Sequence, residues 1–501
     1  MLKRAFMAPD PGRARLRTAI RAVMGVAFAV AVVQLSGLPM TASITGGLAA
    51  LLALFTVADG TVRRQVITTA LLPAVGFPVL ALAAALHGLP LVRDGAFLAV
   101  VFCGVYARRW GPRGNALGIF GFMMFFATQF LHAVPAQLPH LYAAVIMSLA
   151  AAGLVRFGLW CIERRTPPPA GPAPLATRGL ARVTTRQAFQ ATFACGLALA
   201  VGQLVSDERW YWAVGTAWWI FVNTASRGET LVRGFRRVLG TMIGIATGML
   251  VAIPLHGAAA PTAVLVAACV FGIFYSAAVS YTWMMFAVTV MAGLLYGLLG
   301  VLDADLLTLR LAQTGVGAVG AALAVLVVLP VTTHAATDAW IQRALRCVHT
   351  CAAEAAARLA GSETADPAHR VAELELLLGR VRLSLAPLVH PLSPLRTRKE
   401  KARRVLALLD DCAREVRGLA SVAADPEASH DDRLAAACWR VEAAVEALTT
   451  PGRARDAAPL AAVPHEPVSE AALTHLHGLE RALAELAAPL HSTRPSPLVG
   501  A

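Results

Sequence analysis

The chain repeats itself: residues 17–35 read RTAIRAVMGVAFAVAVVQL, and residues 186–204, which lie 169 positions further on, read RQAFQATFACGLALAVGQL. Self-similarity at a fixed spacing indicates an internal repeat. The sequence therefore predicts a duplicated structure. The same shift pairs further residues: Gln34 with Gln203, Thr61 with Thr230, Arg64 with Arg233, His87 with His256 and Tyr106 with Tyr275.

The composition places this repeat in a membrane. Of the 501 residues, 57% are hydrophobic and 15% are charged, and the mean hydropathy of +0.62 exceeds that of soluble globular chains. Residues 1–330 hold 24 Lys and Arg against 9 Asp and Glu, whereas residues 331–501 hold 20 against 21. A basic excess confined to the apolar part is typical of loops at a cytoplasmic membrane face, so we expect no nucleic-acid partner.

About twelve apolar segments in the first 330 residues are predicted to span the membrane, which requires about 20 apolar residues each. Arginines cluster in every second connection, which predicts cytoplasmic termini under the positive-inside rule. Each half holds six spans, so the two repeats are predicted to have the same orientation. The segments are residues 18–36, 41–57, 66–86, 95–107, 114–132, 140–162, 187–205, 210–224, 238–255, 260–278, 281–300 and 311–330.

The predicted fold is an all-α membrane protein with a helical domain after the second repeat. From residue 331 onward, apolar residues recur with helical period, which predicts about five amphipathic helices packed as a bundle. One such face comprises Leu374, Leu377, Val381 and Leu385. The predicted domains are a first transmembrane repeat at 1–162, a Pro-rich cytoplasmic linker at 163–183, a second transmembrane repeat at 184–330 and a cytoplasmic helical domain at 331–501.

The sequence predicts no enzyme, no cofactor and no metal site. No lysine follows a glycine, so the phosphate-binding P-loop is absent, and the apolar part contains neither HExxH nor GxSxG. The eight cysteines form no CxxC pair. Cys347 and Cys351 share a helix face in the tail, but His349 points away from it and no fourth ligand is near.

The aromatic stretch RWYWAVGTAWWIFVN at 209–223 holds the first candidate substrate-binding residues. At helical spacing, Trp212, Thr216, Trp219 and Asn223 form one polar and aromatic stripe. An asparagine at membrane depth is costly without a partner or water, so this stripe is predicted to face inward. Its rings are suited to stacking on a planar ligand, although packing of Trp219 in the core is an equal alternative.

The other side of the same helix is predicted to face lipid. Trp210 and its helical neighbours form an apolar stripe. Arg209, Trp210 and Tyr211 lie at the start of the helix and are predicted to anchor it at the membrane surface, as interfacial aromatic residues do. The remaining members of the apolar stripe are Val214, Ala217 and Phe221.

The following segment, SRGETLVRGFRRVLGTMIGIATG at 226–248, adds positive charge. Arg237, Thr241 and Gly244 share a helix face, so Arg237 is predicted to attract a carboxylate with Thr241 beside it. Contact of Arg237 with phospholipid headgroups is the alternative. Glycines at every fourth position predict close helix packing, either inside the protein or between two copies in a homodimer.

These two segments resemble the signature of the fusaric acid resistance protein-like (FUSC), or aromatic acid exporter, family of bacterial inner-membrane proteins. The resemblance rests on WYWAVGTAWWIFVN, RGETLVRG and RRVLGTMIGIATG and covers residues 183–330; in the weaker first half, GLPMTASITGG replaces the tryptophan stretch. It implies export of small aromatic carboxylic acids of the fusaric acid or hydroxybenzoate type, driven by the proton gradient. It also implies a location in the bacterial inner membrane and a periplasmic adaptor protein as a partner.

Three functions remain open from the sequence. The first is export of small aromatic carboxylates by a protein in contact with membrane lipid. The second is a passive organic-anion channel, which the absence of Asp and Glu from the middle of every span favours. The third is a scaffold or sensor that acts through the cytoplasmic bundle. Four histidines lie at predicted outer ends of spans, where periplasmic pH could titrate them, although ordinary hydrogen bonding in loops is the favoured alternative: His87, His132, His140 and His256.

Overall fold

The computed structural model divides the protein into two compact units, one formed by residues 1–168 and 174–331 and the other by 169–173 and 332–501. Asn223, His256 and most of the predicted linker lie outside the residues that the structure describes. The described residues are 13–160, 179, 182–222, 224, 226–255, 258–300, 304–329, 333–359, 362, 364–389, 396–423, 432–449 and 467–491.

The described part of the first unit consists of twelve α-helices and two short 3-10 helices, Ala107–Trp110 and Pro135–Gln137, and contains no β-strand. In the first half these are α1 (Ala14–Leu35), α2 (Met40–Thr56), α3 (Val62–Ala85), α4 (Pro90–Tyr106), α5 (Gly111–Leu131) and α6 (Leu138–Trp160). In the second half they are α7 (Val183–Val205), α8 (Tyr211–Phe221), α9 (Arg227–Leu255), α10 (Ala259–Ala277), α11 (Tyr281–Leu298) and α12 (Ala304–Val327). Each helix corresponds to one predicted segment, although α9 and α12 begin well before their predicted starts.

Nine segments of the described chain are long and apolar enough to cross a membrane. One of them, Pro90–Leu131, runs through both α4 and α5, and the others correspond to α1, α3, α6, α7 and α9 to α12. The helices α2, with 17 residues, and α8, with 11 residues, are shorter, so they fall below the length that the prediction of about twelve spans assumed. The protein is therefore a multi-pass membrane protein, as its composition predicts.

Arginine and threonine side chains satisfy backbone groups at the ends of some of these helices. The Thr61 hydroxyl caps α3 by accepting the backbone N–H of Arg64 at 3.4 Å. At the end of α2, Arg156 of α6 donates to the carbonyl oxygen of Ala53 at 3.1 Å and to that of Val57. Helix ends leave such carbonyls without partners, so this arginine allows the short α2 to end inside the protein.

The helices of the two halves pack in equivalent pairs. In the first half, α1 and α2 pack against each other and against α6, and α3 and α4 pack against α5. In the second half, α7 and α8 pack against each other and against α12, and α9 and α10 pack against α11. Across the halves, α4 packs against α7, and its counterpart α10 packs against α1. The helix α9 also packs against α12, which brings together the elements of the candidate site.

Aromatic rings fill the core where the first half meets α8. Phe97 of α4 stacks on Phe125 of α5 with ring centroids 4.5 Å apart. Phe122 of α5 stacks on Trp218 of α8 with centroids 4.3 Å apart. All four side chains are fully buried in one apolar cluster. Because large rings dominate the energetics of such cores, this cluster holds α8 against the first half.

The second unit is a helical unit with its own core. Its described residues form α13 (Thr333–Leu359), α14 (Pro367–Val389), α15 (Arg396–Ala423), α16 (Asp432–Thr449) and α17 (Pro467–His491). The apolar faces of these five helices share one buried cluster. The predicted face of α14 is buried in it, namely Leu374, Leu377, Val381 and Leu385. The position of the second unit on the cytoplasmic side of a membrane stays a prediction.

Candidate functional site

The short helix α8 carries the aromatic stretch, and the structure encloses its start within the protein. Trp210 is 2% exposed and Tyr211 is 1% exposed. The Trp210 ring lies 5.9 Å from that of Phe97, centroid to centroid. The prediction that Arg209, Trp210 and Tyr211 anchor α8 at a membrane surface is therefore wrong for the two rings. Since α7 and α12 pack along α8 and rings of α5 cover it, these residues belong to the core.

The stripe of α8 that was predicted to face lipid is also buried. Val214, Ala217 and Phe221 are all fully enclosed, so this prediction is wrong as well. Trp218, which the sequence-based reasoning passed over, lies beside them and is fully buried. Helical periodicity separates the faces of a helix, but it does not tell lipid from protein core when every face is apolar.

The predicted polar and aromatic stripe includes three described residues. Trp212 and Trp219 are half-buried, and Thr216 between them is buried. The helix α12 comes close to the stripe at Gly317, where an added Cβ would lie 2.7 Å from the Cβ of Thr216. Asn223, the fourth predicted member, is outside the described residues. The two tryptophan rings are thus the accessible part of the stripe.

Arg237 of α9 lies at the Trp219 end of this stripe. Its side chain is 8% exposed, and its Nη1 donates to the Tyr281 hydroxyl at 3.2 Å and to the Met285 sulfur at 3.0 Å. The Tyr281 hydroxyl in turn donates to the carbonyl oxygen of Trp219 at 3.4 Å. The Nε of Arg237 has no hydrogen-bond partner among the described residues. Arg237 is therefore joined to the stripe and keeps a buried donor for a ligand.

Two further guanidinium groups lie at the same end of α8. The guanidinium carbon of Arg233 is 4.0 Å from the centroid of the Tyr281 ring. Arg108, which precedes α5, donates from Nη1 to the carbonyl oxygen of Phe221 at 2.7 Å and lies 5.5 Å from the Trp218 ring centroid. Within the described residues, Nε of Arg233 and two nitrogens of Arg108 lack hydrogen-bond partners. The end of α8 is therefore a strongly cationic environment.

The glycine seam of α9 packs inside the protein, against α11. A Cβ at Gly240 would lie 2.5 Å from the carbonyl oxygen of Thr282, and one at Gly244 would lie 2.7 Å from the Cβ of Thr289. Glycines at these two positions let the helices touch, as close helix packing in lipid requires. Thr241 is buried beside the seam, one turn from Arg237. This contact fixes the height of Arg237 relative to Tyr281 on α11.

A fourth arginine, Arg310, is buried at the Trp212 end of the stripe. The predicted last span, residues 311–330, leaves Arg310 just outside it, whereas the helix begins at Ala304. Arg310 is 5% exposed, and its guanidinium carbon lies 4.1 Å from the centroid of the Trp212 ring. Its Nη1 has no partner among the described residues. The sequence held a signal for this residue, since Arg310 interrupts the otherwise apolar run LLTLRLA.

The charges of Arg237 and Arg310 repel each other. Leaving even one charge uncompensated in a protein interior costs several kcal/mol. Ionisable residues inside spans typically mark pathways for ions or substrates. A guanidinium group binds a carboxylate through two parallel hydrogen bonds, and the tryptophan rings between the two arginines suit an aromatic body. The charged and aromatic groups of the site therefore match the chemistry of a small aromatic anion.

Two of the predicted outer histidines face each other at the ends of α3 and α5. The ring centroids of His87 and His132 are 6.1 Å apart. Partial burial lowers the pKa of His132, and the charges of His87 and Arg209 lower it further, while Glu208 opposes them. His132 therefore resists protonation relative to a free histidine. No three His, Cys, Asp or Glu side chains of the described chain are grouped as metal ligands.

Fold and site together define a multi-pass helical membrane protein with a buried cationic and aromatic site in its second half. Residues 197–325 match the model of the family described as fusaric acid resistance protein-like. The match confirms the resemblance that the tryptophan and glycine segments carry, and it spans the site residues predicted from the sequence as well as Arg310. It supports a membrane transporter involved in resistance or efflux rather than an enzyme. No curated protein matches the chain.

Proposed function

We propose that this protein exports small aromatic carboxylic acids, of the fusaric acid or hydroxybenzoate type, across the bacterial inner membrane. The observation that carries the proposal is Arg237, a guanidinium group that is 8% exposed and keeps an Nε donor without a partner among the described residues. A buried charge of this kind is stable only with a counterion or other compensation. The carboxylate of the substrate supplies the counterion.

The aromatic part of the substrate would lie along the half-buried rings of Trp212 and Trp219. Offset or edge-on contacts between aromatic rings contribute about 0.5–1.5 kcal/mol beyond their buried area, which favours aromatic over aliphatic acids. Thr216 and Thr241, on the facing helices α8 and α9, are proposed to hydrogen-bond to a polar substituent. Asn223 is proposed to extend the same wall.

The first half does not offer an equivalent site, which supports a single asymmetric pathway. We propose that the halves are two parallel repeats and that one rocks against the other to alternate access to the site. Their equivalent helix packing supports this arrangement. At the shift of 169 residues, Trp212, Trp219 and Arg237 correspond to Ser43, Ala50 and Thr68.

We propose that the proton gradient drives export and that both termini are cytoplasmic. A periplasmic adaptor is proposed as a partner from the family resemblance, and membrane lipid from the composition. A homodimer stays a proposal from the glycine segment of α9, although Gly240 and Gly244 themselves pack against α11. One observation favours a second candidate, a passive organic-anion channel: the described carboxylates of the first unit lie in connections or in the first two turns of a helix. These are Asp59, Asp94, Asp207, Glu208, Glu229 and Asp305.

The test is uptake of radiolabelled benzoate into inverted membrane vesicles, with and without an imposed pH gradient. Trp219→Ala is compared with Trp283→Ala, which removes a half-buried ring that contacts Phe286 on α11 and lies outside the stripe. We expect uptake to require the gradient and to fall at least about tenfold in Trp219→Ala alone, the loss of about 1.4 kcal/mol of binding.

Three results would change the proposal. Equal uptake by both variants would refute the role of Trp219 in the wall. Full uptake after collapse of the pH gradient would select the passive channel. Absence of uptake for benzoate, hydroxybenzoate and fusaric acid alike would select a scaffold or sensor.

A further inference from the structure

We propose that Arg310 forms a second binding site for the carboxylate, separate from that at Arg237; this inference rests on the exporter function proposed above. Arg310 is 5% exposed and lies two turns inside α12, with apolar residues before and after it. Its Nη1 is a buried donor that has no partner within the described chain. An uncompensated charge at this depth points to an ionic ligand.

Trp212 fixes the orientation in which Arg310 meets its ligand. The guanidinium carbon lies over the ring, 4.1 Å from its centroid, so the indole covers one side of the group. The N–H groups then point away from the ring contact, in the plane where a carboxylate accepts two parallel hydrogen bonds. The rings of Tyr211 and Tyr296 lie with their centroids 5.8 and 6.1 Å from that of Trp212, and the Phe126 ring meets Trp212 edge-on at 5.4 Å. The ligand is therefore a carboxylate that carries an aromatic ring.

A nearby arginine shows the same stacking with its carboxylate already supplied by the protein. The guanidinium carbon of Arg93 lies 4.7 Å from the centroid of the Trp210 ring, and its Nη2 is 2.9 Å from Asp94 Oδ1. Gln203 donates to the other oxygen of Asp94 at 2.7 Å. Arg93 is thus neutralised within the protein. For Arg310, the substrate provides the acid.

The two arginines stand at opposite ends of one stripe, which suggests how a substrate moves. Arg237 is linked through Tyr281 to the carbonyl of Trp219, and Arg310 rests on Trp212, two helical turns away. The positive charges of Arg237 and Arg310 repel each other. An anion bound to one arginine therefore also lowers the electrostatic energy of the other arginine. The carboxylate passes from Arg237 to Arg310 while the aromatic ring moves along the tryptophan stripe.

The test counts bound ligand by equilibrium dialysis of radiolabelled benzoate against the full-length protein in nanodiscs of zwitterionic lipid. We expect two benzoates per chain for the wild type and for Arg93→Gln, which is the matched control. We expect one for Arg310→Gln and one for Arg237→Gln. Benzamide, which is neutral but has the same shape, is expected to compete at least about tenfold less well. Two benzoates on Arg310→Gln at wild-type affinity, or equal competition by benzamide, would overturn the proposal.

Further arms separate this proposal from folding, lipid and transport effects. Arg310→Lys keeps the charge without the planar group, so it should retain two sites, one of them about tenfold weaker; unchanged affinity would overturn the stacked geometry. Anionic phosphatidylglycerol in the nanodiscs should leave the count at two, whereas a fall to one would assign Arg310 to a lipid phosphate. If vesicles show no flux while the number of bound benzoates follows expectation, the proposed export is refuted and the binding site at Arg310 is retained. If flux is normal but the number of bound benzoates does not depend on Arg310, the binding site is refuted and the proposed export is retained.

Discussion

Replacing Gly317 of α12 by alanine tests whether the stripe of α8 is positioned by direct helix contact. An added Cβ at this position would lie 2.4 Å from the carbonyl oxygen of Ala213, 2.7 Å from the Cβ of Thr216 and 3.0 Å from the backbone nitrogen of Ala217. Ordinary contacts of a Cβ begin at 3.4 Å. The helices α8 and α12 must therefore separate by about 1 Å to accommodate one methyl group, since two of the opposing atoms are backbone.

The expected cost follows from overpacking. Forcing extra carbon atoms into a packed interior typically costs about 1–3 kcal/mol. Alanine also has the higher helix propensity, by about 1 kcal/mol, which opposes this cost. Gly315→Ala provides the matched control, because the two positions share a helix and an added Cβ at Gly315 meets nothing within 4 Å. Both variants gain the same helix propensity. The difference between their free energies of unfolding therefore reports the helix contact at Gly317 alone.

The assay combines thermal unfolding in detergent with benzoate uptake by vesicles. We expect Gly317→Ala to unfold several degrees below Gly315→Ala and to lose at least about tenfold in apparent affinity, since α8 moves relative to Arg310 on α12. Gly315→Ala is expected to match or exceed the wild type in stability and to transport normally. Equal melting temperatures and equal uptake in the two variants would refute the reasoning.

Three further variants test other parts of the structure. Tyr281→Phe removes the hydroxyl that orients Arg237, so we expect about tenfold weaker benzoate binding with unchanged folding; wild-type affinity would exclude this role. Partial burial and then the charge of His87 lower the pKa of His132, so the unfolded chain gains a proton first and stability should fall as pH drops below about 6.5. In His132→Asn, the melting temperatures measured at pH 5.5 and at pH 7.5 should differ less than they do in the wild type. Asparagine suits this position because its φ of 49° is left-handed. Arg156→Gln removes charged hydrogen bonds to the end of α2 and should lower the free energy of unfolding by about 1.5–3 kcal/mol; an unchanged melting temperature would contradict this.

The helices of the first unit follow from the sequence because length and apolarity alone define a membrane helix. What the sequence could not provide was the surroundings of α8. Its stripes were separated correctly by period, yet Trp210 and Tyr211 were assigned to a surface that they do not reach. Tryptophan and tyrosine are equally typical of membrane interfaces and of aromatic cores, so composition does not choose between them.

The site was half predictable for a similar reason. Arg237 stood out because it follows an aromatic stretch and shares a face with Thr241. Arg310 was missed because the predicted span began one residue after it, and the ends of elements are the least certain part of any sequence-based assignment. Tyr281 carried no local signal. Its role depends on α11 packing against α9, which is a tertiary contact between residues 44 positions apart.

Four arginines of the first unit form two pairs by what they contact, and this difference supports the assignment of the site. The short helices α2 and α8 end inside the protein, where their last carbonyl groups need donors. Arg156 supplies them for α2 and Arg108 for α8. In contrast, Arg237 bonds to side chains and Arg310 stacks on a ring, and neither donates to a backbone carbonyl among the described residues. Backbone completion explains the first pair, and the anionic ligand proposed above would explain the second.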